Sequence, residues 1–133
     1  MPVTVVWDDE THTCVRYVFT ERWTWAEFHG PIDEANVMIR TQPHPVGIIA
    51  DLLESDPLPA KGLPTLKYMA AITPENACAF VIVGAGGFIQ AIARVFTRVY
   101  PGLGLLPLFA DTLEAARAIV AEKAASWPSP DPK

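Results

Sequence analysis

Two short stretches, Val46-Gly-Ile-Ile-Ala-Asp51 and Ala79-Phe-Val-Ile-Val83, are apolar at nearly every position and lie between Pro-containing loops. A strand with one wet face alternates apolar and polar residues. A strand apolar throughout has to be covered on both faces, and in proteins that is the place of an interior, parallel strand flanked by helices. The pair therefore predicts an α/β sheet with crossover helices.

The remaining segments fit that frame. Val3 to Trp7 and Thr13 to Phe19 are rich in β-branched and aromatic residues, with Asp8-Asp9-Glu10 as a polar turn between them, and read as an antiparallel hairpin. Thr24 followed by Glu27 is a capping box, after which Trp25, Phe28, Ile32, Ala35 and Ile39 recur at helical spacing. This predicts a first helix over 25–40, kinked or split at Gly30 by Pro31. A short second helix is expected over 66–72, closed by Pro74, and a third after Gly84-Ala-Gly-Gly87 on a stripe of Phe88, Ile92, Val95, Phe96 and Val99 that stops at Tyr100-Pro101-Gly102. Leu105 to Phe109 reads as an edge strand, because Pro107 cannot donate to a ladder. Asp111 with Glu114 opens a last helix through Leu113, Ala116, Val120 and Ala124. The order is ββαβαβαβα, one domain over 1–126 with a Pro-rich tail over 127–133.

Half of the 133 residues are hydrophobic, enough for a substantial core, yet no apolar run approaches the roughly 20 residues of a membrane span. The start, Met1-Pro2-Val3-Thr4, has no signal-peptide pattern, and a cytoplasmic location is expected. The net charge of −5, with basic residues scattered apart from Arg94 and Arg98, gives no footprint for nucleic acid. Cys14 and Cys78 read as buried reduced thiols.

Particular local sequences resemble the STAS domains with a SpoIIAA-like fold, and more closely the bacterial STAS/SEC14-like proteins. They are Thr24-Trp25, Ile32-Asp-Glu-Ala-Asn36, His44-Pro-Val-Gly-Ile-Ile-Ala-Asp-Leu52, Gly62-Leu63-Pro64, Val81-Ile-Val-Gly84, Arg98-Val-Tyr-Pro101 and Phe109-Ala-Asp-Thr-Leu-Glu-Ala-Ala116. The resemblance implies a β-α superhelix with a mixed five-stranded sheet, about four helices, and no enzymatic activity. In anti-sigma-antagonist members a serine in an Asp-Ser-Ser-Gly-Leu motif is phosphorylated. Here that position reads Pro59-Ala60-Lys61-Gly62-Leu63, so the hydroxyl is missing, and Ser55 and Thr65 are displaced from it.

Candidate sites are few. Asp51 stands at the carboxyl end of a central strand with Glu54 and Asp56 close by, where open α/β sheets place ligands. Gly84, Gly86 and Gly87 lie between a strand and a helix, where backbone N–H groups can approach an anion; the plain alternative is a tight turn. Arg94 and Arg98 share a helix face and are expected to pair with Glu114 or Glu122 of the last helix, with Arg94 the alternative anion ligand. His12, His29 and His44 have no metal-ligand spacing, no nucleophile–His–carboxylate arrangement is in view, and neither metal nor cofactor is expected.

If the helices gather largely on one side of the sheet, the other face and the hairpin need cover. Tyr17, Trp23 and Trp25 are then the expected interface of a homodimer, with Trp23 and Trp25 too close in sequence for both to face the core. Two functions follow. One is a non-catalytic regulatory or protein-interaction domain with a protein partner or a second copy. The other is a sensor or carrier of a nucleotide or lipid-like molecule, held at the strand ends.

Overall fold

The computed structural model describes residues 2–84, 86–99, 105 and 107–127. Five strands form one sheet in sequence order: β1 (Val3–Trp7), β2 (Cys14–Glu21), β3 (Val46–Ser55), β4 (Ala77–Val83) and β5 (Pro107–Ala110). β1 and β2 are antiparallel, with Val3 opposite Phe19 and Trp7 opposite Val15. The other neighbours are parallel, with Arg16 opposite Ile49, Ala50 opposite Ile82, and Phe80 opposite Pro107. The doubly apolar β3 and β4 are adjacent and interior, and the Pro-bearing β5 is at an edge, as their compositions predict. Among the described residues no helix is long and apolar enough to cross a membrane.

Helix α1 (Trp25–Arg40) begins on the expected capping box: the Glu27 N–H donates to Thr24 Oγ1 at 3.2 Å, and the Thr24 N–H donates to Glu27 Oε1 at 2.9 Å. It runs unbroken through Pro31 and is not split at Gly30. Pro31 is buried beside Phe28 and Ile32, so packing outweighs the one hydrogen bond its ring removes. Helix α2 (Leu63–Ala71) starts three residues before the expected Leu66, because Pro64 falls in the first turn, where a missing N–H has no intrahelical partner to lose.

Helix α3 (Gly87–Val99) also departs from its expected stripe: Val95 and Val99 are 49% and 54% exposed, whereas Phe96 is buried. The side chains of Phe88 and Ile92, and the stop at Tyr100-Pro101-Gly102, lie outside the described residues. Helix α4 (Leu113–Ala125) is capped by Thr112, whose hydroxyl accepts the Ala115 N–H at 3.0 Å, and not by Asp111. Of the expected tail only Trp127 is described, half-buried against the α4 side of the sheet; residues 128–133 lie outside the described residues.

The helices do not gather on one side to the extent the sequence suggests. One core joins Val5, Tyr17, Ile48 and Ile82 of the sheet to Phe28, Ile32 and Ile39 of α1 and Met69 of α2, and Phe96 of α3 borders a cavity on that same face. A second core lies on the opposite face, where Ala116 and Val120 of α4 cover Cys14, Ile49, Ala79 and Val81. Small residues on the strands let α4 seat closely. A β-carbon added at Gly47 would stand 2.4 Å from a Val120 methyl, far inside contact distance, and the stiff valine cannot swing away. Gly47→Ala is therefore expected to cost about 1–3 kcal/mol in urea unfolding. Val120→Ala in the same chain should return part of that loss, a non-additivity that independent sites would not show.

Candidate functional site

The sequence-predicted ligand residues do not converge. Asp51 is buried on the α4 face; its Oδ2 accepts from Arg16 Nη1 at 3.2 Å and its Oδ1 from the Leu53 N–H at 3.1 Å, so the carboxylate is occupied within the fold. Glu54 and Asp56 are exposed, and no group of three or more His, Cys, Asp and Glu able to hold a metal occurs among the described residues. Gly84 has φ +83°, and a β-carbon there would meet Leu53 at 3.1 Å, which explains that glycine as a tight turn. A β-carbon at Gly86 or Gly87 would meet nothing within 4 Å, so no close approach explains them. Arg94 and Arg98 are exposed on α3 and form no ion pair among the described residues. The expected partners Glu114 and Glu122 belong to α4, on the other face of the sheet.

The expected interface is corrected in the same way. Tyr17 and Trp23 are 1% and 3% exposed, part of a cluster of rings around Phe28, so a charged residue at either position would report on folding rather than on association. Burial raises the Tyr17 phenol above its ordinary range, with the Asp33 charge adding to the effect. Burial likewise raises the Cys14 and Cys78 thiols, and both cysteines are buried and unpaired with each other. Ser55 is also engaged: its hydroxyl accepts from Trp23 Nε1 at 2.8 Å and donates to the Asp56 carbonyl at 2.6 Å.

Trp25 is different. It is half-exposed, packs edge-on against Trp23, and donates from Nε1 to the carbonyls of Pro59 and Ala60 at 2.9 and 3.0 Å. Its ring covers Gly62, where a β-carbon would come 2.3 Å from Cζ2, so only glycine lets the loop lie this close. The indole thereby fixes the segment from Leu58 to Pro64 as one wall of an open cleft, and Ala91 and Val95 of α3 form the other.

This mouth encloses about 870 Å³, within the range of small-molecule sites. Two deeper chambers of about 70 Å³ each continue from it across the sheet face between α2 and α3. Leu66 borders all three spaces; Phe80, Ile82 and Ala93 are shared by the two chambers. Among the described residues Lys61, at the mouth, is the only charged residue of the lining. The position follows from topology: β2, β3 and β4 are parallel, so the connections that carry Trp25, Leu58–Pro64 and the start of α3 all leave from one end of the sheet.

The cleft lies at the strand ends where the sequence places a ligand, but its described lining includes none of the expected ligand residues Asp51, Gly84, Gly86, Gly87 and Arg94; two of its signals are nevertheless present in the sequence. The loop Leu58-Pro-Ala-Lys-Gly-Leu-Pro64 is more apolar than an ordinary surface loop, and α3 carries the apolar Ala91 outside its expected core stripe.

The chain is similar in structure to an uncharacterized protein of the DUF3478 family with a SpoIIAA-like fold from Shewanella loihica PV-4. The match has a TM-score of 0.58 at 13% identity and covers 89% of this chain and 94% of that one. This chain accordingly has a SpoIIAA-like fold, the fold implied by the resemblance in its sequence. No protein-family model and no curated protein matches it.

Proposed function

We propose that this SpoIIAA-like chain is a non-catalytic binding domain that carries or senses a small apolar molecule in the cleft between α2 and α3. The observation that carries the reading is the continuity of the lining, apolar from the mouth at Trp25 and Leu58 to the inner chambers at Phe80 and Phe96. Such a surface left in water is costly, and each methylene of a ligand moved onto it contributes about 0.8 kcal/mol. Affinity should therefore climb with chain length until the cleft is full. Among the described residues the lining's only hydroxyl and amine are Thr73, whose Oγ1 donates to the Met69 carbonyl at 2.8 Å, and Lys61, and no metal-holding cluster occurs, so the chemistry the cleft favours is binding.

A second reading, self-association as part of a regulatory or protein-interaction role, is favoured by a different surface. Helix α4 packs on β3, β4 and β5 and covers Cys14 of β2, but on the same face Val6 of β1 and Leu53 of β3 stay 40% and 52% exposed. Native mass spectrometry of the purified chain separates the two. A monomer of 14.5 kDa carrying an adduct of a few hundred daltons, lost on organic extraction, is the expected result. A bare dimer would favour the second reading, and a bare monomer that takes up no added dodecanol would overturn the first.

A further inference from the structure

The cleft has a polarity that its apolar lining alone does not require. Its inner end is lined largely by carbon, with Ile48, Met69, Phe80, Phe96 and Leu105 around the farther chamber. Its outer end carries the Lys61 ammonium, which forms no ion pair among the described residues. Lys61 is held at the rim with φ +67°, a left-handed backbone conformation that costs a non-glycine residue energy and that glycine would adopt more readily. Arg94 and Arg98 are exposed on the same helix as Val95 but do not line the cleft. The nearby carboxylates do not cancel the Lys61 charge within the cleft. Glu27 is bonded to Thr24 at the start of α1, and Glu54 and Asp56 precede the wall segment and do not line it.

We propose that the occupant of this cleft is a single-chain amphiphile of the fatty-acid-anion class, its chain laid along Leu66 toward Phe80 and its carboxylate at Lys61. This rests on the binding role proposed above and specifies its ligand. The inner chambers are narrow, about 70 Å³ each, with room for a few methylenes of one chain and not for a ring system or two chains side by side. The only charge on the described lining is positive, and an anionic head there meets an ammonium at the rim of the cleft. A neutral head gains no such partner, and a cationic one is repelled.

The test is a calorimetric titration of the full chain at pH 8 and low salt with dodecanoate, dodecanol and dodecyltrimethylammonium, each kept below its micelle concentration. Dodecanoate is expected to bind about fivefold more tightly than dodecanol, with the cation weakest. Lys61→Gly removes the charge at a backbone position glycine favours, and Lys61→Met keeps the stem. In both, dodecanoate should fall to the level of dodecanol while dodecanol binds as before. Equal binding of dodecanoate and dodecanol to the unaltered chain, or a preference that survives both substitutions, overturns the anionic head and leaves the apolar cleft standing. No binding of any of the three overturns the cleft as a site.

Discussion

Replacing Phe28 by alanine is expected to remove about 3–5 kcal/mol of folding stability, the largest loss of any single change considered for this chain. Phe28 projects from the first turns of α1 into the centre of the aromatic cluster. Its ring lies 5.0 Å from both Tyr17 and Phe19, at interplanar angles of 85° and 67°, and farther out it meets Trp23 and Trp25. These edge-to-face arrangements place ring edges on ring faces and add to the area that burial removes from water. Alanine would forfeit the buried ring, the ring-to-ring contacts and the packing of α1 on β2, and would leave a hole that the fused rings of tryptophan cannot collapse to fill. For a domain whose whole stability is about 5–15 kcal/mol, the variant should sit near its unfolding midpoint in little urea. Phe28→Leu keeps most of the volume and should lose far less, under about 1.5 kcal/mol. A Phe28→Ala loss below about 1 kcal/mol in urea unfolding would mean that the cluster is not a packed core. Phe28 also borders the inner chamber beside Trp25, so the same vacancy would widen the cleft.

The elements legible in the sequence are those governed by local rules. Thr24 and Glu27 mark the start of α1 because both partners of the capping box lie within one turn. Val46 to Asp51 and Ala79 to Val83 identify interior strands because their composition needs two covered faces, and Pro107 marks an edge because it lacks an N–H. What stayed hidden depends on which face a helix takes. A helical stripe gives a period but not a destination, so α4 could not be assigned to the face opposite α1, and the bareness of that face was overestimated. Aromatic richness in the hairpin likewise suggested a surface, whereas strand alternation turns Tyr17 and Phe19 inward onto α1. The cleft was least legible of all. Trp25, Leu58 to Pro64, and Ala91 with Val95 come from three separate connections and become one lining only when three parallel strands deliver them to one end of the sheet.

The longest-range polar contact in the described structure is also absent from any local pattern, and Asp8 is its centre. The side chain is buried at the end of β1, where Oδ1 accepts from Arg16 Nε at 3.0 Å and from Arg117 Nη2 at 3.0 Å, and Oδ2 accepts from Arg117 Nε at 2.8 Å. Arg16 reaches on to Asp51, so one network ties β1, β2, β3 and α4 together. The bonds from Arg117, first among the causes, hold the Asp8 carboxyl below its ordinary range, with Arg16 adding to them against the opposing effect of burial. A carboxyl whose folded-state value is depressed contributes its full stability above the unfolded value, about 3.9, and loses it as pH falls through the lower folded value. Asp8→Ala should therefore cost roughly 2–4 kcal/mol at neutral pH, because it leaves two guanidinium groups without their acceptor. The gap between the variant and the unaltered chain should narrow steadily below about pH 4. Arg117→Ala should cost less, about 1 kcal/mol, since that side chain is 46% exposed and water replaces part of what it loses. Urea unfolding at neutral and acid pH measures all three. A gap for Asp8→Ala that stays constant across that range would show that the network holds α4 by shape and not by charge.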